Sequence, residues 1–206
     1  MHTLLLVMSI LLAVWSYADL IRDLVWRGKS QPIATRLAVC AALTLGGVSI
    51  LLGRGGYADL TVASIYALLS FAVVVISLLP RFRPTFTMTS VDVACLIVSV
   101  AGVTTLLFTG KSGTGIAYAI GADLIAYLPT FRAAKRLPHT QPVATYVIGL
   151  GAAVCALAAA YLDQGVTTDS MLTIYLIAID SLLPIFILIR RKQVEEPVLV
   201  SFEQAS

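Results

Sequence analysis

Charged residues are scarce in this sequence, and so are the residues that commonly bind metals or form disulfides. Only 12% of the 206 residues are charged, roughly half the share that is typical of a soluble domain. The two histidines, His2 and His139, stand at the N-terminus and in a predicted loop, which argues against a histidine-ligated metal. The three cysteines fall in separate apolar segments, so no disulfide framework is predicted.

The common catalytic motifs are missing as well. Neither Gly-x-Ser-x-Gly nor a paired Cys-x-x-Cys occurs. The "GKS" at Gly110–Ser112 resembles the end of a phosphate-binding loop, but Thr105 stands where that motif needs its first glycine. We therefore predict that the protein is not an enzyme and that it holds no metal and no cofactor.

Apolar residues dominate what remains, at 59% of the chain. Several apolar runs approach the roughly 20 residues that a helix needs to cross a lipid bilayer, and they lack the alternation of a transmembrane barrel. The sequence therefore predicts an all-α integral membrane protein with seven transmembrane helices. The predicted spans are about residues 3–26, 33–52, 58–79, 90–109, 114–136, 142–161 and 170–189.

Lysine and arginine are distributed unevenly among the predicted loops. Twelve of the 14 fall in the first, third and fifth loops and the tail, while the second and fourth loops hold only Arg54 and Lys111. Because basic loops stay in the cytoplasm, we predict a multi-pass protein of the cell membrane with its N-terminus outside and its C-terminus inside. The net charge of +3 then reflects topology, and no nucleic-acid partner is predicted.

An internal repeat links the two halves of the chain. At an offset of 110 positions, residues 16–35 and 126–145 share six identities. They are Tyr17/Tyr127, Arg22/Arg132, Gln31/Gln141, Pro32/Pro142, Ala34/Ala144 and Thr35/Thr145. The repeat predicts a first three-helix bundle (1–80), a loop and linker helix (81–112), a second three-helix bundle (113–190) and a polar cytoplasmic tail (191–206). Since one linker helix separates them, the bundles are expected to run parallel, a plan that transporters use.

The segment "YLPTFRAAKR", Tyr127–Arg136, resembles the PQ-loop signature, and the three-plus-one-plus-three plan is similar to the SWEET and PnuC-type transporters of that superfamily. The resemblance implies a transporter fold embedded in a lipid bilayer, and it leaves a homo-oligomer open. Thr130 stands where the motif has glutamine, and Asp19 stands where the second repeat has Pro129. The chain also contains no asparagine, whereas the SWEET proteins are expected to hold sugar with asparagines, so the resemblance does not extend to the substrate.

Pro129 is predicted to interrupt the backbone ladder of helix five. A proline inside a helix frees one carbonyl group and permits a bend. The residue therefore serves either as the hinge of an inner gate or as a static kink.

Two acids stand near the middle of predicted spans, where a charge is costly. Asp123 and Asp180 each lie about ten residues from either end of their helix, with no lysine or arginine predicted at that depth. They could share a proton, bind a cation, or accept hydrogen bonds from a polar substrate. Alternatively, each is a neutral acid bonded to a neighbour such as Tyr66, Tyr175 or Ser181. Two further acids, Asp59 and Asp169, are predicted helix N-caps.

Aromatic residues complete the candidate site. Tyr17, Tyr66, Tyr127 and Tyr175 are predicted to line a central cavity, and Trp15 to stack on a substrate ring, although aromatics near helix ends also form interface belts. We therefore predict a transporter of a small polar solute, with coupling to a proton or a cation left open. The alternative is a non-transporting accessory, structural or receptor-like protein of the same fold.

Overall fold

The computed structural model describes residues 1–27, 33–52, 57–78, 90–109 and 111–203. These residues form seven α-helices and one 3₁₀ turn, and they contain no strand. The helices are α1 (His2–Arg27), α2 (Ile33–Leu52), α3 (Tyr57–Leu78), α4 (Ser90–Thr109), α5 (Ser112–Arg136), α6 (Val143–Gln164) and α7 (Met171–Glu203), with the 3₁₀ turn at Pro138–Thr140.

Most helix ends fall within three residues of the predicted spans, and the exception is the C-terminal end of α7. The tail was predicted to become irregular from about residue 190, whereas α7 continues to Glu203. The residues that follow the apolar span, "RRKQVEE", are mostly good helix formers, so the helix extends into the polar segment. The predicted turn at 53–56, the loop at 80–87 and Pro32 lie outside the described residues.

Four helices of the described chain are long and apolar enough to cross a membrane. These spans are His2–Asp23, Asp59–Ile76, Val143–Asp163 and Met171–Val194. Large apolar side chains on the outer faces of the helices are exposed, among them Leu11, Phe71 and Leu182, each at least 58% exposed. An apolar surface of this extent is unusual for a soluble monomer, and together with the four long apolar helices it fits an all-α membrane protein surrounded by lipid.

The helices pack in a recurring pattern. The most extensive contacts join α1 to α6 and α2 to α5. Helix α3 packs on both α1 and α2, and α7 packs on both α5 and α6. Helix α4 packs on α5 and α2. In the part of the chain that the structure describes, α3 therefore lies between α1 and α2, and α7 lies between α5 and α6.

Small residues allow α6 to approach its neighbours closely. Ala152, Ala153, Ala156, Ala159 and Ala160 are all buried, with at most 2% of their surface exposed. Small side chains bring helix backbones together and increase van der Waals contact where no hydrophobic force drives association. The run "GLGAAVCALAAA" thereby places α6 against α1 and beside the cavity described below.

Candidate functional site

A cavity of about 120 Å³ lies among α1, α2, α3, α5, α6 and α7. Ten of its lining residues have polar or tyrosine side chains, and the other seven are aliphatic or glycine. The lining residues are Ser16, Tyr17, Leu20, Val39, Leu43, Tyr66, Ser70, Val73, Asp123, Ala126, Tyr127, Thr130, Thr145, Tyr146, Gly149, Leu176 and Asp180. Both mid-helix acids thus face one cavity, and none of these described residues is basic.

Only one of the two carboxyl oxygens of Asp123 has a hydrogen-bond partner among the described residues. The Tyr175 hydroxyl donates a hydrogen bond of 2.8 Å to Asp123 Oδ2, as the structural alternative anticipated. The other oxygen, Oδ1, is buried and has no hydrogen-bond partner among the described residues. Since Asp123 is only 2% exposed, this oxygen has lost water without gaining a donor, which is costly for a buried polar group.

Asp180 projects from α7 to the surface of α6 at Gly149. A Cβ atom on Gly149 would lie 3.1 Å from Asp180 Oδ2 and 3.5 Å from Ser16 Oγ. The glycine therefore provides the space into which the carboxyl group reaches. Asp180 is 6% exposed, and the neighbouring Ser181 donates its hydroxyl to the carbonyl of Ile177 in its own helix.

Tyrosines make up much of the polar wall. The hydroxyls of Tyr17 and Ser70 share a 2.7 Å hydrogen bond, and the Tyr66 hydroxyl donates to the Gly149 carbonyl at 3.4 Å. The rings of Tyr17 and Tyr66 meet edge to face, with 6.0 Å between their centroids. Such aromatic pairs fix ring orientation, so this side of the cavity has a defined shape.

The structure brings most of the predicted site residues together, with three exceptions. Trp15 is 63% exposed on the outer face of α1 and is absent from the lining. A helix turns about 100° per residue, so Trp15 and Tyr17 cannot share a face. Tyr175 contributes through its bond to Asp123. Pro129 lies inside the continuous helix α5 beside the lining residue Thr130, and its role as hinge or static kink stays open.

Several lining residues were not predicted from the sequence. Ser16, Ser70, Gly149 and Tyr146 stand beside the predicted acids and tyrosines. Ser70 had a signal in the sequence, because it occupies the position 110 residues before Asp180.

Polar contacts join α1 to the first turn of α6 beside the cavity. The Thr145 hydroxyl donates to Asp19 Oδ2 at 2.7 Å, and the Ser16 hydroxyl donates to the Thr145 carbonyl at 2.9 Å. Asp19 also pairs with Arg22. We call Asp19, Thr145 and Ser16 the α1–α6 latch.

A second polar cluster joins α3 to α7 at the opposite ends of the helices. Asp59 accepts hydrogen bonds from the hydroxyls of Ser170, at 3.1 Å, and Thr173, at 3.4 Å. Asp59 is the third residue of α3 and is 2% exposed. Its bonds connect two helices, so the prediction that it is the N-cap of its own helix was wrong. We call Asp59, Ser170 and Thr173 the α3–α7 clasp.

Asp59→Ala is expected to lower the free energy of unfolding by about 1–3 kcal/mol, because two buried hydroxyls lose their acceptor. The measurement is thermal unfolding of the purified protein in detergent. Asp163→Ala removes an exposed acid from the C-terminal end of α6 and should leave the unfolding temperature nearly unchanged. Equal stability of both variants would show that the clasp contributes nothing.

Comparison of the chain with protein-family models, with curated protein sequences and with solved structures finds no match. The geometry of the cavity and the sequence correspondence at an offset of 110 are therefore what point to a function.

Proposed function

We propose that the protein is a membrane transporter that moves a small polar solute through the cavity between two three-helix repeats. One observation carries this proposal: the cavity lining is built from positions that correspond between the two halves of the chain. At the offset of 110 found in the sequence, 12 of the 17 lining residues form six pairs. The pairs are Ser16/Ala126, Tyr17/Tyr127, Leu20/Thr130, Val39/Gly149, Tyr66/Leu176 and Ser70/Asp180.

The helix packing supports the same correspondence. Exchanging α1 with α5, α2 with α6 and α3 with α7 turns the α1–α6 contact into the α5–α2 contact, and both are extensive. The exchange likewise relates the α2–α3 contact to α6–α7 and the α1–α3 contact to α5–α7. The smaller α3–α6 contact has no comparable α7–α2 contact among the described residues. Helix α4, which packs on α5 and α2, has no counterpart, as expected for a linker helix. A cavity on the axis between such halves is where transporters of this plan bind substrate.

The lengths of the helices are compatible with seven membrane crossings. The 20 residues of α2 and α4 and the 25 residues of α5 span roughly 30 Å or more at 1.5 Å per residue, and the hydrocarbon core is about 30 Å thick. With seven crossings and the basic loops inside, the N-terminus is outside and the C-terminus is cytoplasmic. This arrangement fits a PQ-loop transporter of the SWEET or PnuC kind.

The two polar clusters suggest how access is controlled. The α1–α6 latch includes the lining residues Ser16 and Thr145 and lies toward the basic-loop ends of α1 and α6, whereas the α3–α7 clasp lies at the opposite ends of the helices, where α3 and α7 begin. Alternate opening of the two clusters exposes the cavity to one side of the membrane at a time. Pro129, inside α5 and next to the cavity, supplies a point at which that helix bends. A proton or cation on Asp123 or Asp180 would couple its own gradient to the solute.

The alternative is a receptor-like or accessory protein of the same fold. A cavity filled by leucine, valine and isoleucine would favour it. The observed wall instead carries two carboxyl groups, four tyrosines and four hydroxyl side chains from serine and threonine, which favours the passage of a polar solute.

The proposal is tested by uptake into liposomes that contain the purified protein. The panel consists of radiolabelled amines, sugars, nucleosides and vitamins, and protein-free liposomes are the control. We expect at least one polar solute to enter at several times the control rate. A folded, oriented protein that moves none of the panel would instead support the receptor-like alternative.

A further inference from the structure

We infer that the solute bound in the cavity is a small primary ammonium compound, held between Asp123 and Asp180. This inference rests on the proposed function, because it names the class of solute for the same site. It is carried by the charge of the wall, by one unpartnered carboxyl oxygen and by the size of the cavity.

The wall carries acidic groups and no basic one among its described residues. An anion would meet two carboxyl groups at close range with no compensating cation, whereas an ammonium group would be attracted to both. Charged groups inside a membrane protein are retained where they pair with an opposite charge. A cationic ligand would supply that opposite charge to Asp123 and Asp180.

The unpartnered Oδ1 atom of Asp123 indicates an N–H donor rather than a bare charge. Tyr175 already satisfies Oδ2, while Oδ1 is buried in a lining residue that is only 2% exposed. A primary ammonium group has three N–H donors, so one can bond to Oδ1 when the carboxyl group turns toward the cavity, while another points toward Asp180. A quaternary ammonium would neutralise charge but leave Oδ1 without a donor.

The cavity accommodates a small solute. Its volume of about 120 Å³ is several times what one water molecule needs. Tyr17, Tyr66, Tyr127 and Tyr146 provide rings for contact with the alkyl part or with the cation itself.

A bound metal ion fits the site less well. No group of three or more His, Cys, Asp or Glu side chains gathers anywhere in the part of the chain that the structure describes. Calcium requires six to eight oxygen ligands, and the two carboxyl groups with neutral hydroxyls form a poor cage for it. The geometry therefore points to an organic cation.

The test is isothermal titration of the full-length protein in detergent with three probes of similar size. Ethanolamine is charged and carries N–H donors, ethylene glycol is its neutral counterpart, and tetramethylammonium is charged without N–H donors. We expect ethanolamine to bind at least about tenfold more tightly than either of the other probes. Equal affinity for ethanolamine and ethylene glycol, or no binding of ethanolamine, would overturn the inference, and this comparison needs no variant. Equal affinity for tetramethylammonium would exclude the role of the N–H donor.

Variants locate the binding site. Asp123→Asn and Asp180→Asn are each expected to weaken ethanolamine binding at least about tenfold, whereas Asp163→Asn, which removes an exposed acid, should change it less than about twofold. Unchanged binding in both buried variants would place the amine elsewhere and contradict the inference. The uptake panel separates this result from the transport proposal. Ethanolamine binding without uptake of any solute supports the ammonium ligand and contradicts transport. Uptake of a neutral solute without ethanolamine binding supports transport and contradicts the ammonium ligand.

Discussion

Asp180→Asn and Asp123→Asn are each expected to reduce solute uptake at least about tenfold while the protein remains folded. Asparagine keeps the size of the side chain and removes the carboxyl charge. At Asp180 the proposed repeat offers a precedent, because the residue 110 positions earlier, Ser70, is neutral and is bonded to Tyr17. At Asp123 the asparagine carbonyl can still accept the Tyr175 hydroxyl. Removing an unpaired buried acid should therefore not destabilise the fold and can stabilise it.

Uptake and thermal unfolding must be measured on the same preparations. A tenfold loss of uptake corresponds to about 1.4 kcal/mol, and we expect it without a lower unfolding temperature. If the acids carry a coupling ion, an imposed proton or cation gradient should stimulate wild-type uptake but not uptake by the double variant. Full uptake in both single variants would remove the acids from the mechanism. A large loss of stability would instead support the structural alternative, in which each acid ties helices together.

Gly149→Ala is expected to reduce uptake roughly tenfold through a single added carbon. The new Cβ atom would lie 3.1 Å from Asp180 Oδ2, closer than a normal contact, so the carboxyl group must move by a few tenths of an ångström. The neighbouring Ser16 hydroxyl, 3.5 Å from the same point, limits where it can go. Small displacements of positioned groups have large effects on function. Because alanine is a better helix former than glycine, the loss of uptake should not come from a less stable α6.

Gly151→Ala is the matched control for this experiment. It lies two residues further along α6, where a Cβ atom would meet only Leu12 Cδ1 at an ordinary 3.5 Å. Both substitutions change helix propensity equally, so the difference between them reports the cavity. We expect Gly151→Ala to keep at least about half of the wild-type uptake. Equal uptake by the two variants would mean that the approach of Asp180 to Gly149 has no functional part.

The positions of the helices follow from the sequence because long apolar runs and their breaks are local features. Helix α2, predicted over 33–52, is observed over Ile33–Leu52, and α4 begins and ends where expected. The C-terminal end of α7 was missed because the change from apolar to polar residues marks the edge of the membrane, not the end of a helix. Six of the seven residues from Arg190 to Glu196 are polar and still favour the helical backbone.

The candidate site was predicted only in part. Asp123 and Asp180 were recognisable because their depth in apolar spans is visible in the sequence. That they share one cavity could not be predicted, because it depends on how α5 and α7 pack. The faces of α1 could not be assigned from composition, since its apolar residues surround the whole helix. Composition therefore places both Trp15 and Tyr17 at the cavity, although only Tyr17 points inward. Gly149 and Ser16 carry no chemical signal alone, and their place beside Asp180 becomes visible only in the folded structure.

A cysteine placed in the cavity wall tests whether the cavity opens to the two sides of the membrane in turn. Ala126 lines the cavity on α5 and is 2% exposed, and Ala122, one turn away, is fully buried outside the lining. Ala126→Cys and the control Ala122→Cys would each be made in a protein whose three native cysteines are replaced by alanine. A membrane-impermeant thiol reagent is then applied from one side of the membrane at a time. A cysteine at position 126 is expected to react from both sides, and the transported solute is expected to slow both reactions. A cysteine at position 122 is expected to react from neither side. Reaction of Cys at 126 from one side only, in the presence and absence of solute, would contradict the account and identify a static binding site.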